Sequence, residues 1–125
     1  MGTMLVRHDA ASASEVRREL ALDLDLHGVD GAVIDEVSLV ASELIGNAVR
    51  HTRAADDSDL DVTWTVGPDG VLLSVEDPSR ELPVVREAPP EATGGRGMRI
   101  IDTLAVAWGV EPTQHGKRVW ARIPI

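Results

Sequence analysis

Apolar residues recur along this chain with two different periods, and each period predicts a different kind of element. Val16, Leu20 and Leu24 stand four apart, the spacing that lines one face of a helix. Ser12-Ala-Ser-Glu15 just ahead of them reads as a capping box, in which the Ser oxygen takes an orphan N–H and the Glu returns the bond. A first helix is therefore predicted from Ser12 to Gly28, a residue able to adopt the left-handed conformation that ends helices. Asp30 then caps a second, longer helix running to about His51, with Val33, Val37, Val40, Leu44 and Ala48 as its apolar stripe. From Leu60 the period falls to two. Leu60, Val62, Trp64 and Val66 alternate with polar residues, Pro68-Asp-Gly70 turns the chain, and Val71, Leu73 and Val75 continue the alternation, so two strands pair as a hairpin.

Beyond Asp77, which has the parity of those inward residues, the stretch from Pro78 to Thr93 holds four prolines and no periodicity. A surface segment of that length is unusual in a compact domain unless it has a task, and a lid is expected there. Gly94-Gly-Arg-Gly97 opens a third helix, with Met98, Ile101 and Leu104 on its inner side. Two strands, Ala105 to Val110 and Val119 to Ile125, close the chain. Helices on one face of a mostly antiparallel sheet make a two-layer α/β sandwich of the α+β class. With 125 residues, a single domain is expected over 1–125.

Composition narrows the function classes. There is no Cys, which excludes disulfides, thiolate metal sites and thiol catalysis. The formal net charge of -9 argues against nucleic acid as a partner, because affinity for it comes mainly from neutralising phosphates with Lys and Arg. Only three aromatic residues, Trp64, Trp108 and Trp120, are present, too few for a base-stacking platform. The opening MGTMLVRHDA has no apolar core of a signal peptide, so neither a membrane nor export is expected and the location is read as cytoplasmic. Asp56, Asp57, Asp59 and Asp61 read as a solvated loop, since neither the Gly nor the closing Glu of an EF-hand follows.

Three constellations carry candidate chemistry. Glu43, Asn47 and His51 are four apart on the second helix and form one polar stripe. A carboxylate there can act as general base, and an amide oxygen is a hard ligand that Mg²⁺ accepts alongside phosphate and water. The plainer alternative is a solvated helix face, against which Gly46 argues, because glycine weakens a helix and signals a close approach. Asp77 sits on a buried strand face and needs a partner, either an adenine amino group or a group within the protein. Gly94-Gly95-Arg96-Gly97 before a helix suits phosphate, through free backbone N–H groups and the positive dipole end. No Gly-Lys-Ser/Thr follows, so it is not a Walker A loop.

ELIGNAVRH, VEDPS at a strand end, a lid, GGRGM opening a helix and GKRVWARIPI as a closing strand together resemble the GHKL ATPase superfamily. Their order is that of its N box, its two glycine boxes and its final strand. Gyrase-type and histidine-kinase ATP-binding domains belong there, and the short form most similar to this chain is the anti-sigma factor serine/threonine kinase. The resemblance spans nearly the whole chain and implies a Bergerat-type (histidine kinase-like ATPase) sandwich using ATP and Mg²⁺. Its partners would be a sigma factor, held inactive, and an anti-anti-sigma protein phosphorylated on serine; such proteins commonly pair as homodimers.

Carried across by residue, the resemblance makes Glu43 the general base and Asn47 the Mg²⁺ ligand of the nucleotide site. Asp77 would take the adenine amino group, and Gly95, Arg96, Gly97 and Met98 would form the phosphate loop. Arg17 and Arg18 fall where the family carries one Arg that meets a protein partner. Two positions depart from the pattern: Ser79 where a Gly is usual, and Lys117 where a Thr is usual. Lys117 has the inward parity of Val119, and either reaches phosphate or weakens ATP binding. These departures motivate a second reading, a nucleotide-binding regulatory module that acts by occupying its partner. A detached sensor-kinase catalytic domain ranks third, with no room for a helix bearing a phospho-acceptor His.

Overall fold

A computed structural model of the chain describes residues 2–7, 9–51, 59–77, 93–114 and 116–125, and of residues 50, 51 and 93–98 the backbone alone. The elements run β1 (Gly2–Arg7), α1 (Ser12–Leu26), α2 (Gly31–His51), β2 (Asp59–Gly67), β3 (Gly70–Asp77), α3 (Thr93–Leu104), β4 (Ala107–Pro112) and β5 (Lys117–Ile123). The five strands form one sheet in the order β1-β2-β3-β5-β4, antiparallel at every pairing. This is an open α+β sheet with helices packed on it, as the two periods predict.

The core follows the stripes. Val16, Leu20 and Leu24 of α1 and Val37, Val40, Leu44 and Ala48 of α2 are buried, facing Leu60, Val62 and Trp64 of β2, Val71, Leu73 and Val75 of β3, and Val119, Ala121 and Ile123 of β5. Truncating one such Leu to Ala costs about 2–5 kcal/mol, through lost transfer energy and a residual cavity. α1 ends as expected, with Gly28 at φ +76°.

Asp59 and Asp61, expected in a solvated loop, lie instead in β2, carried by the same alternation as Leu60 and Val62, and three further expectations need correction. Ser12 is not the N-cap: Ala11 holds that position without a side-chain cap, and the Ser12 hydroxyl donates to the Arg7 carbonyl at 2.8 Å. The chain turns into the helix directly from a strand, so Ser12 lies inside the first turn against that strand. The strand before it, β1, is not among the elements that the two periods predict. Its alternation is blurred because Leu5 is exposed while Val6 is buried, and only its edge pairing with β2 defines it. The closing strands are displaced by about one turn of alternation, to Ala107–Pro112 and Lys117–Ile123. Their ladder ends on the Pro112↔Lys117 pair, and the Thr113 N–H and Gly116 carbonyl close the hairpin at 2.9 Å. The lid segment lies outside the described residues, as do Ser79, His115 and the side chains of His51 and Met98.

Two indole bonds tie helices to strands. Trp64 Nε1 donates to Asp23 Oδ2 at 2.7 Å, joining β2 to α1, and Trp108 Nε1 donates to Asp102 Oδ1 at 3.0 Å, joining β4 to α3. The second holds the helix whose first turn carries the glycines.

Candidate functional site

β3 and β5 are neighbours although α3 and β4 lie between them in sequence. After α3 the chain lays β4 at the sheet edge, and β5 returns into the slot beside β3. This topology sets the last residue of β3 opposite the first of β5, Asp77 against Lys117. Both point to the helix side with the alternating core residues and are almost fully buried, at 2 % exposure each. Lys117 Nζ lies 3.4 Å from Asp77 Oδ2. Strand parity anticipates that each side chain points inward; the register makes them an ion pair. Of the two alternatives for Asp77, a partner inside the protein is thus present.

α2 packs on β3 and β5, the strands that carry this pair, and on α3. Along its last three turns the stripe of Glu43 and Asn47 divides. Asn47 is buried at 3 % exposure, whereas Glu43 is half-buried. A solvated helix face therefore does not describe Asn47. Burying an amide without a partner is costly, and no hydrogen bond to the Asn47 side chain occurs among the described residues. Its amide oxygen is a hard donor of the kind that fits Mg²⁺ when phosphate and water complete the shell. Among the described residues no group of three His, Cys, Asp or Glu side chains could hold a metal ion without such help.

Helix α3 begins at Thr93, so Gly94, Gly95, Arg96 and Gly97 form its first turn. The first N–H groups of a helix have no intrahelical acceptor, and they concentrate positive charge. No acidic side chain stands in that turn to occupy the positive end.

The two arginines of α1 differ. Arg17 donates to Ser42 Oγ at 3.0 Å and to Ser14 Oγ at 3.3 Å, so it is tied to α2. Arg18 is exposed and forms no such bond among the described residues. Sequence alone offers no signal for this difference, which depends on the packing of α1 on α2.

A shallow cavity of about 350 Å³ opens on the other face of the sheet, lined by Thr63, Leu72, Ser74, Arg118, Trp120 and Arg122 among others. None of the sequence-derived site residues lines it. No helix among the described residues is long and apolar enough to cross a membrane.

Comparison with known proteins bears on the whole arrangement. Among curated proteins none matches the chain in sequence. In fold it resembles the RsbU and RsbW domains of Rv1364c from Mycobacterium tuberculosis, with a TM-score of 0.69 at 18% identity. That match covers 99% of this chain and 32% of the other. A histidine kinase domain from the blue-light activated histidine kinase of Erythrobacter litoralis matches with a TM-score of 0.55 at 20% identity. There the coverage is 92% of this chain and 60% of the other. The chain thus spans less than two thirds of either neighbour, and at these identities the likeness is one of fold. The family profile of the histidine kinase-like ATPase domain reaches further, matching residues 6–123. From β1 to the end of β5, this chain belongs to the histidine kinase-like ATPase domain family, an ATP-binding fold.

Proposed function

We propose that the chain binds Mg-ATP between α2, α3 and the Asp77 end of the sheet, holds a sigma factor, and transfers phosphate to a serine of an anti-anti-sigma protein. One observation carries this reading. Asn47, buried with no hydrogen bond to its side chain among the described residues, lies at a position that the resemblance assigns to the Mg-nucleotide, and Asp77 is buried at another. The ordered motifs and the likeness in fold to a chain with an RsbW domain support the partner class.

In this reading the Asp77 carboxylate accepts from the adenine amino group. The α3 N-terminus, with Gly95 and Gly97 leaving room for close approach and Arg96 and Met98 beside them, receives the phosphates. Asn47 supplies its amide oxygen to Mg²⁺, which offsets phosphate charge when bound. Glu43, half-buried and thus reachable by a protein substrate, takes the proton from the attacking serine hydroxyl. Arg18 is the side chain left to meet a partner, because Arg17 is committed to Ser42 and Ser14.

A second reading has its own observation. The Asp77 carboxylate is already ion-paired with Lys117, and a module that regulates by occupancy alone could keep that pair closed. Radiolabelled ATP with a candidate anti-anti-sigma protein separates the two. Label on the antagonist is expected. Binding of ATP and of a sigma factor without any label would establish the occupancy module instead.

A further inference from the structure

Trp64 and Trp108 each tie a strand to a helix carboxylate, whereas the Trp120 indole makes no hydrogen bond among the described residues. Trp120 stands at the middle of β5 on the sheet face away from the helices, opposite Ser74 of β3 and Gly109 of β4. A Cβ on Gly109 would come within 2.9 Å of the indole, so the ring lies against the bare backbone of β4. Beside it is the cavity of about 350 Å³, where Thr63 and Ser74 join Leu72, Trp120 and two arginines. The Thr63 and Ser74 hydroxyls bond each other and so make little polar demand on an occupant. Leu72 is exposed, and with the indole it supplies apolar surface.

The arginines differ in charge balance. Arg118 lies between Glu76 and Glu111, at 3.5 and 3.8 Å. Arg122 forms no ion pair among the described residues, and Asp69, which lines an adjoining cavity with it, is no exception.

A guanidinium fork beside an indole and a leucine is complementary to an anion carried on a flat apolar body. The fork takes a carboxylate through two parallel N–H···O bonds, and an aromatic ring packs on the indole. The volume is that of a small-molecule site. With a formal charge of -9, the chain repels an acidic protein segment more than a molecule with one charge. We infer that this face holds a site for a small aromatic carboxylate, paired through its carboxylate with Arg122 and through its ring with Trp120 and Leu72. The site lies across the sheet from Asn47 and Asp77, and its occupation requires no nucleotide.

Titration of the isotope-labelled protein with 2-naphthoate, with its neutral counterpart 2-naphthamide and with acetate, which has no ring, tests the inference through the N–H resonances. Naphthoate is expected to shift the Trp120 indole and the amides of Leu72, Ser74 and Arg122. It should bind about tenfold or more tightly than naphthamide, the usual worth of a charge-assisted pair. Acetate at the same concentration should leave these resonances in place. Arg122→Gln changes an exposed side chain and should bring naphthoate down to the naphthamide level, while Trp120→Leu should weaken both. Should Trp120→Leu not fold, Arg122→Gln decides. Equal affinity of the wild type for naphthoate and naphthamide would overturn the inference, as would a preference for naphthoate that survives in Arg122→Gln. Absence of shifts on this face overturns it as well. If sedimentation then shows a dimer that Arg122→Gln separates, the occupant is a second copy of the chain instead.

Discussion

The indole N–H of Trp64 donates to Asp23 Oδ2 at 2.7 Å, joining the middle of β2 to the last turn of α1. Trp64 is buried, at 3 % exposure, so its donor has no water to turn to if Asp23 is removed. Asp23→Ala is expected to lower stability by about 1–3 kcal/mol, the cost of an unsatisfied buried donor. Trp64→Phe removes the donor itself and leaves the Asp23 carboxylate partly in water, so its cost should come from lost packing instead. Urea unfolding of both variants measures the difference. Nucleotide affinity should not change in Asp23→Ala, because the bond lies at α1 and β2 and not at the strands bearing Asp77 and Lys117.

Gly70 closes the turn between β2 and β3 at φ +142°, and a Cβ there would run into the Ile123 carbonyl oxygen. Strained dihedral and backbone clash add. Gly70→Ala is expected to destabilise by about 2 kcal/mol or more, read as a fall in the urea midpoint. A midpoint within error of wild type would show that the hairpin turn can relax.

Asp77→Asn should act on both stability and binding. It leaves the buried Lys117 ammonium without its counter-charge, and breaking a buried pair from one side costs about 3–5 kcal/mol. It also removes one acceptor from the base site, which predicts ATP affinity lower by tenfold or more. Adding Lys117→Met removes the stranded charge, so the double variant should recover much of the stability but not the ATP affinity. Recovery of both would take Asp77 out of the nucleotide site.

Glu43 and Asn47 share one helix face yet should fail differently. Glu43→Ala is expected to leave Mg-ATP binding nearly intact and to slow phosphate transfer by about 10² or more, the usual contribution of a positioned base. Asn47→Ala should lose Mg²⁺-dependent affinity together with transfer, because its oxygen acts through the metal. The measurement is transfer of labelled phosphate beside calorimetry with and without Mg²⁺. Equal transfer by Glu43→Ala and wild type would remove the general-base role.

What the chain determined by itself is local. The four-residue spacing of Val16, Leu20 and Leu24 and the alternation through Leu60 to Val75 yield α1, β2 and β3, because side-chain direction follows from backbone period alone. The same rule pointed Asp77 and Lys117 inward, and the order of ELIGNAVRH, VEDPS, GGRGM and GKRVWARIPI carried the family. Tertiary structure decided who faces whom. Asp77 meets Lys117 because β5 enters beside β3 in one register, and a shift of β5 by one residue would have turned Lys117 away from the core. Asn47 is buried and Glu43 half-buried because α2 rests on the sheet and on α3, and Arg17 rather than Arg18 is occupied because Ser42 of α2 lies within its reach. β1 exists as a strand only through its pairing with β2. Each of these contacts joins residues distant in sequence, and their energies enter only when the chain has closed the loops between them.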